Sequence, residues 1–144
     1  MVEQDTIRLL RECDAGIKMG VDSLKEVIPH VKNENLKNCL SDCLGKHSEL
    51  DREIDGLLNS YHDEGKDPNP IAKGMSHLKT NFKMGINDSD ETISDLMTDG
   101  CNMGVKSLSK YLNKYKAADE KSKDITKRLI NIEERLAVDI REYL

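Results

Sequence analysis

The segment Gly16-Ile17-Lys18-Met19-Gly20-Val21-Asp22-Ser23-Leu24 returns 84 residues later as Gly100-Cys101-Asn102-Met103-Gly104-Val105-Lys106-Ser107-Leu108, with the same residue at six of the nine positions. Around the first copy, Ile7, Leu10, Ile17, Val21, Leu24 and Ile28 fall at intervals of three and four, or their sums, which puts them on one stripe of a helix. Around the second, Ile93, Met97, Leu108, Tyr111 and Tyr115 do the same. Two helices of like design, each followed by a charged turn and a further amphipathic helix, predict a chain built from two similar helical hairpins.

The first helix is expected from about Glu3 to Val31, with Pro29 causing a kink or an early stop. The second carries Leu36, Leu40, Cys43, His47, Leu50, Ile54, Leu57 and Tyr61 in unbroken four–three alternation, so a heptad stripe is expected over the whole helix. Gly65, Pro68 and Pro70 end it, and a short amphipathic stretch through Ile71, Met75, Leu78 and Phe82 reads as a connector helix. Asn87 to Glu91 supplies capping oxygens for the third helix, and the fourth carries Ile125, Leu129, Ile132, Leu136, Ile140 and Leu144. The expected organisation is one domain, 1–144, with hairpin one over 3–61, a connector over 62–87 and hairpin two over 88–144.

Topology follows from length. Helix two is roughly 40 Å long at 1.5 Å per residue, and a connector of about 16 helical residues plus extended chain reaches roughly 45–50 Å. Such a connection can return the full length of the bundle, which an up-down-up-down arrangement does not need. The fold class expected is therefore an all-α four-helix bundle with one long crossover containing a short helix.

Glycine inside a helix costs about 1 kcal/mol relative to alanine, so Gly16, Gly20, Gly100 and Gly104 ask for a compensating contact. Close crossing of helices one and three on these flat patches is one explanation. Accommodation of a bulky neighbour is the other.

Composition excludes several function classes. Of 144 residues, 34% are charged and 3% aromatic, with no Trp and a net charge of −5, which leaves no basic surface for nucleic acid or an anionic membrane. No apolar run approaches the length of a membrane span, and the acidic start Met1-Val2-Glu3-Gln4-Asp5 does not resemble a signal peptide, so a soluble cytoplasmic protein is expected. Cys13, Cys39, Cys43 and Cys101 show no CxxC spacing and are expected as reduced thiols, mostly in the core. A thiol sensor using Cys39 and Cys43 as an exposed pair is a competing reading.

The layout of Thr6 to Leu144, with two hairpins, a helical connector and a glycine near the middle of helices one and three, resembles the ferritin-like superfamily, and more closely a bacterial branch of it without an assigned function. That resemblance implies two metals held by a Glu on helices one and three and Glu-x-x-His on helices two and four. The residues depart from this pattern. Helix four has no histidine, helix three from Ile93 to Tyr115 has no Glu and offers only Asp95 and Asp99, and the residue three before His47 is Leu44. No phosphate loop, nucleophile elbow or zincin motif is present either.

Two polar residues nevertheless fall on core stripes: Asp14 on helix one and His47 on helix two, near enough in an antiparallel hairpin for a direct or water-bridged contact. The leading expectation is a non-catalytic bundle without a complete di-iron site or cofactor, acting by self-association or protein binding. The alternative is a metal-binding or redox protein with a degenerate site for iron, manganese or zinc, drawn from Asp14, His47, Asp99 and Glu133 or Glu134.

Overall fold

The computed structural model of the protein describes residues 2–63 and 89–144. Four helices make up the described chain: α1 (Gln4–Val27), α2 (Glu34–Ser60), α3 (Asp90–Lys114) and α4 (Glu120–Asp139). Single 3-10 turns follow α1 at Ile28–His30 and α4 at Arg141–Tyr143, and no strand occurs among the described residues. The connector helix expected through Ile71 and Phe82 lies outside the described residues.

Local chemistry sets the boundaries. Pro29 has no N–H to continue the ladder, so α1 gives way to a 3-10 turn with the proline in its first positions, four residues short of the expected Val31. The Asn33 side chain accepts from the N–H groups of Asn35 and Leu36 at 2.8 and 3.1 Å to start α2. Ser89 and Asp119 cap α3 and α4 in the same way, accepting from Thr92 and Ser122. At the end of α2, His62 takes a left-handed φ of 59°, which lets the Asp63 N–H reach the Leu58 carbonyl at 2.8 Å and the His62 N–H reach Asn59 at 3.0 Å. Helix α4 stops at Asp139, earlier than its stripe suggested, and Leu144 is 54% exposed.

The ends of the bundle fix the topology. Asp90, at the start of α3, accepts from the backbone N–H groups of Lys32 and Asn33 at 2.8 and 2.9 Å, in the turn between α1 and α2. Reciprocally, Asp5 and Thr6 at the start of α1 accept from Ala117 and Asp119 at 3.1 and 2.8 Å, in the turn between α3 and α4. The Arg11 guanidinium pairs with Asp63, which places the end of α2 near the start of α1. Helix α3 thus begins at the end of the bundle where α2 begins, runs parallel to it, and is reached by a connection that returns the bundle's length.

Burial follows two sequence offsets. The buried residues of α3 (Ile93, Ser94, Met97, Cys101, Leu108) each lie 84 positions after a buried residue of α1 (Leu9, Leu10, Cys13, Ile17, Leu24). On α2 the buried stripe is Leu36, Leu40, Cys43, His47, Leu50, Ile54 and Leu58, and 86 positions on, α4 presents Ser122, Thr126, Leu129, Glu133, Leu136 and Ile140 inward. Leu58 replaces the expected Leu57 because a straight helix drifts by about 20° per heptad, and the drift accumulates over three heptads. By the same phase Glu133 turns inward beside Ile132; both are partly buried, and Ile132 packs against the core as expected.

The core has two large apolar halves and a small third cluster of Leu9, Tyr115 and Ala118. One half holds Leu24, Val27, Leu36, Leu40, Met97 and Ile140, and the other holds Leu10, Ile17, Leu50, Ile54, Ile125 and Leu129. Each fully buried leucine or isoleucine contributes about 1.5–3 kcal/mol, so these halves supply the cohesion. On α2, His47 falls between Cys43 of the first half and Leu50 of the second, and on α4 Glu133 falls between Leu129 of the second and Leu136 of the first. A polar layer therefore sits at the middle of the bundle.

Candidate functional site

At that middle layer the His47 Nε2 donates to Glu133 Oε1 at 2.7 Å, joining α2 of the first hairpin to α4 of the second. The other ring nitrogen, Nδ1, donates to the Cys43 carbonyl at 2.8 Å. A carbonyl can only accept, so an ionised carboxylate on the far side calls for a ring protonated on both nitrogens. Burial favours the neutral ring, but the contact with the Cys43 side chain, the hydrogen bond to Glu133 and the charge of the carboxylate outweigh it, and the His47 pKa is pushed up to about 10. The pair is an imidazolium–carboxylate bridge with the histidine 1% exposed.

The glycines shape the space around this pair. A Cβ at Gly20 would lie 3.1 Å from the His47 ring, and one at Gly104 would lie 3.5 Å from the Glu133 carboxylate. At Gly16 a Cβ would meet nothing within 4 Å. The nearest neighbours of an added Cβ at Gly20 and Gly104 are thus side chains of α2 and α4, while α1 and α3 also pack against each other. The repeated glycines face a chamber of about 50 Å³, with Gly16, Gly20, Gly100 and Gly104 in its walls, His47 and Glu133 beneath, and Met19, Met97 and Met103 among its apolar lining. At Gly20 and Gly104 the missing side chain leaves room for a side chain of α2 or α4, the second of the two expected explanations.

Asp14 goes elsewhere. It is 1% exposed, yet its carboxylate turns towards α2 away from His47, bonded by Lys18 one turn along its own helix, and Lys18 also reaches Asp55 at 3.4 Å. Carboxylate oxygens of Asp14, Asp51 and Asp55 lie within 4.8 Å of one another, and the Lys18 ammonium supplies the positive charge there. Burial raises the Asp14 pKa, the Lys18 bond opposes this, and Asp51 adds to it. The expected contact between Asp14 and His47 is thus absent, because each has a closer partner of opposite charge. Asp99 and Glu134 are exposed, far from the requirements of a core ligand set.

The sulfur chemistry is equally constrained. Cys13, Cys43 and Cys101 are buried and Cys39 partly so, which removes the exposed Cys39–Cys43 pair of the sensor reading. Burial pushes the Cys13 thiol up to about 12 despite its 3.2 Å contact with Thr126, and it raises Cys101 and Cys39 too. The Cys43 sulfur is 3.4 Å from His47 Nδ1, but that nitrogen gives its proton to the Cys43 carbonyl and has no lone pair with which to take the thiol's. The arrangement holds a charge pair in the core, and the thiol that lines the chamber, Cys101, is kept protonated by its burial.

Of the residues singled out in the sequence, His47, Glu133 and the four glycines converge on one place, while Asp14 belongs to a second cluster with Lys18, Asp51 and Asp55. Those last three escaped the sequence reading. The signal available for them was their spacing, since Asp14 and Lys18, like Asp51 and Asp55, are one helical turn apart. For Glu133 it was the 86-residue offset from His47, two longer than the offset of the glycine segments. Comparisons of the chain with protein-family models, with curated proteins and with solved structures found no match.

Proposed function

We propose that the chain is a ferritin-like helical bundle that works by binding, through self-association or a protein partner, and not by catalysis. The observation that carries this reading is the pairing of its two buried ionisable groups: His47 is bonded on both nitrogens, and Asp14 is bonded to Lys18. The parallel α2 and α3 with a returning connection support the ferritin-like part. A cytoplasmic setting accords with the four free thiols, and no helix among the described residues is long and apolar enough to cross a membrane. Met103 beside the chamber, with Val138 and Leu144 near the end of α4, are the exposed large apolar side chains among the described residues, and they suit a modest contact surface.

A metal-binding reading is favoured by one specific feature, the adjacency of an imidazole and a carboxylate at 2.7 Å in the core. Elemental analysis after exhaustive dialysis separates the two. The binding reading predicts substoichiometric iron, manganese and zinc, together with a concentration-dependent rise above the 16.3 kDa monomer by light scattering, or capture of a defined protein partner. Stoichiometric metal that disappears in His47→Ala would overturn it in favour of the metal site.

A further inference from the structure

The methionines of the described residues are unevenly placed. Met19 on α1 and Met97 and Met103 on α3 are all of them, and all three line the one chamber between these helices, together with the Cys101 thiol. Met19 and Met103 hold the same place in the two copies of the glycine segment, and Cys101 stands where the first copy has Ile17. A methionine is flexible enough to fill an irregular gap, yet with three of them on its walls the chamber keeps about 50 Å³. That exceeds the roughly 10–15 Å³ required by a guest the size of a water, and a monatomic ion asks for no more.

The donors set the chemistry of an occupant. Thioether and thiolate sulfur are soft ligands that suit copper(I), whereas manganese and other hard ions want carboxylates and carbonyls. Charge selects the same ion. The His47–Glu133 pair beneath is neutral as a whole, so a cation without a counter-charge would be costly in this apolar enclosure. A monovalent ion on a single thiolate is neutral, while a divalent one would leave a charge unbalanced. Met103, 38% exposed, gives the lining a residue that solvent reaches, and Met19 and Met97 lie deeper at 5% each.

We propose that this chamber binds one copper(I) ion through the sulfur of Cys101 and the thioethers of Met19, Met97 and Met103. The Cys101 thiol donates to Glu133, which also accepts from His47. As the copper–sulfur bond forms, the S–H bond breaks and its proton passes to solvent; copper stays copper(I), and Glu133 keeps its bond to His47. The site is therefore distinct from an iron, manganese or zinc site at His47 and Glu133, and it requires no protein partner.

The probe is copper(I) itself, transferred without oxygen from its bicinchoninate complex to the full chain carrying 13C-methyl methionine. We expect one ion per chain, with the Met19, Met97 and Met103 methyl signals moving together, and no such movement with zinc(II) at the same concentration. Met19→Leu and Met97→Leu conserve volume, so each should keep the fold while weakening copper(I) by about tenfold or more. Cys101→Ala should weaken it by about a hundredfold or more. Cys39→Ser, whose thiol lines a different groove between α2 and α4, should bind as the parent does. Should Cys101→Ala fail to fold, the two leucine variants decide. Copper that binds without moving the three methyls, that is held unchanged by folded Cys101→Ala or by both leucine variants, or that is lost in Cys39→Ser would overturn the proposal.

Discussion

Two charged side chains in this bundle are equally hidden, His47 and Asp14, each 1% exposed, and they are satisfied in opposite ways. His47 is held from across the core by Glu133 of the other hairpin. Asp14 is held from within hairpin one by Lys18, whose side chain is 44% exposed and carries its charge to the rim. The first pair can exist only when the hairpins are docked in register. The second requires only α1 and α2. A buried ion pair gives little net stability over an apolar isostere, but loss of one partner is costly, so the central pair acts mainly to specify how the hairpins meet.

The comparison breaks most severely at Glu133. Glu133→Ala leaves the imidazole without its partner in the core, and denaturant unfolding should show a loss of about 3 kcal/mol. The double variant His47→Leu/Glu133→Leu should recover most of that loss, because apolar residues of similar size extend the two halves of the core into one. A double variant as unstable as the single one would mean that the layer holds the fold together by more than pairing.

Asp14→Asn should cost less than about 1 kcal/mol near neutral pH, since Lys18 keeps access to solvent and the buried carboxylate is relieved of its charge. The pH dependence carries the sign. A carboxyl whose folded pKa is raised favours the protonated form in the native state, so its contribution to stability falls as pH rises from about 3.9 through the folded value. The Asn variant should therefore gain relative to the parent on going up through that range. A loss of several kcal/mol in the variant would make the Asp14 cluster the equal of the central pair.

A finer probe contrasts neighbouring glycines. Gly16→Ala should stabilise α1 by up to about 1 kcal/mol, because the methyl meets open space. Gly20→Ala places its methyl 3.1 Å from the His47 ring and should forfeit that gain, with a changed environment for the imidazole. Equal effects at the two sites would show that the ring moves freely, which a tightly bridged histidine does not.

The same contrast explains what could be read from the chain beforehand. Four helices, their pairing and the returning connection were legible because periodicity and capping residues such as Asn33, Ser89 and Asp119 are local signals. His47 stood out as a polar residue on an apolar stripe. Glu133, a candidate only as one of two adjacent acidic residues, did not, because the neighbouring Ile132 supplied the stripe, and in the fold both turn inward in part. Asp14 was correctly placed in the core but assigned the wrong partner, since i to i+4 pairing with Lys18 competes with any contact across the hairpin. The glycines were legible as sites of close approach, and what approaches them, an imidazole at Gly20 and a carboxylate at Gly104, depends on the rotation of α2 and α4.

The pairing itself is open to direct observation through the 15N and 1H resonances of the His47 ring across a pH titration. A folded pKa raised above the usual value near 6.5 means that the bridge stabilises fully below that pH and loses its contribution as pH climbs through about 10. The account predicts a ring protonated on both nitrogens at pH 7 and still so at about pH 8.5, losing a proton only as stability declines on the alkaline side. A singly protonated ring at pH 7 that titrates near 6.5, with stability flat from neutral to alkaline pH, would contradict it.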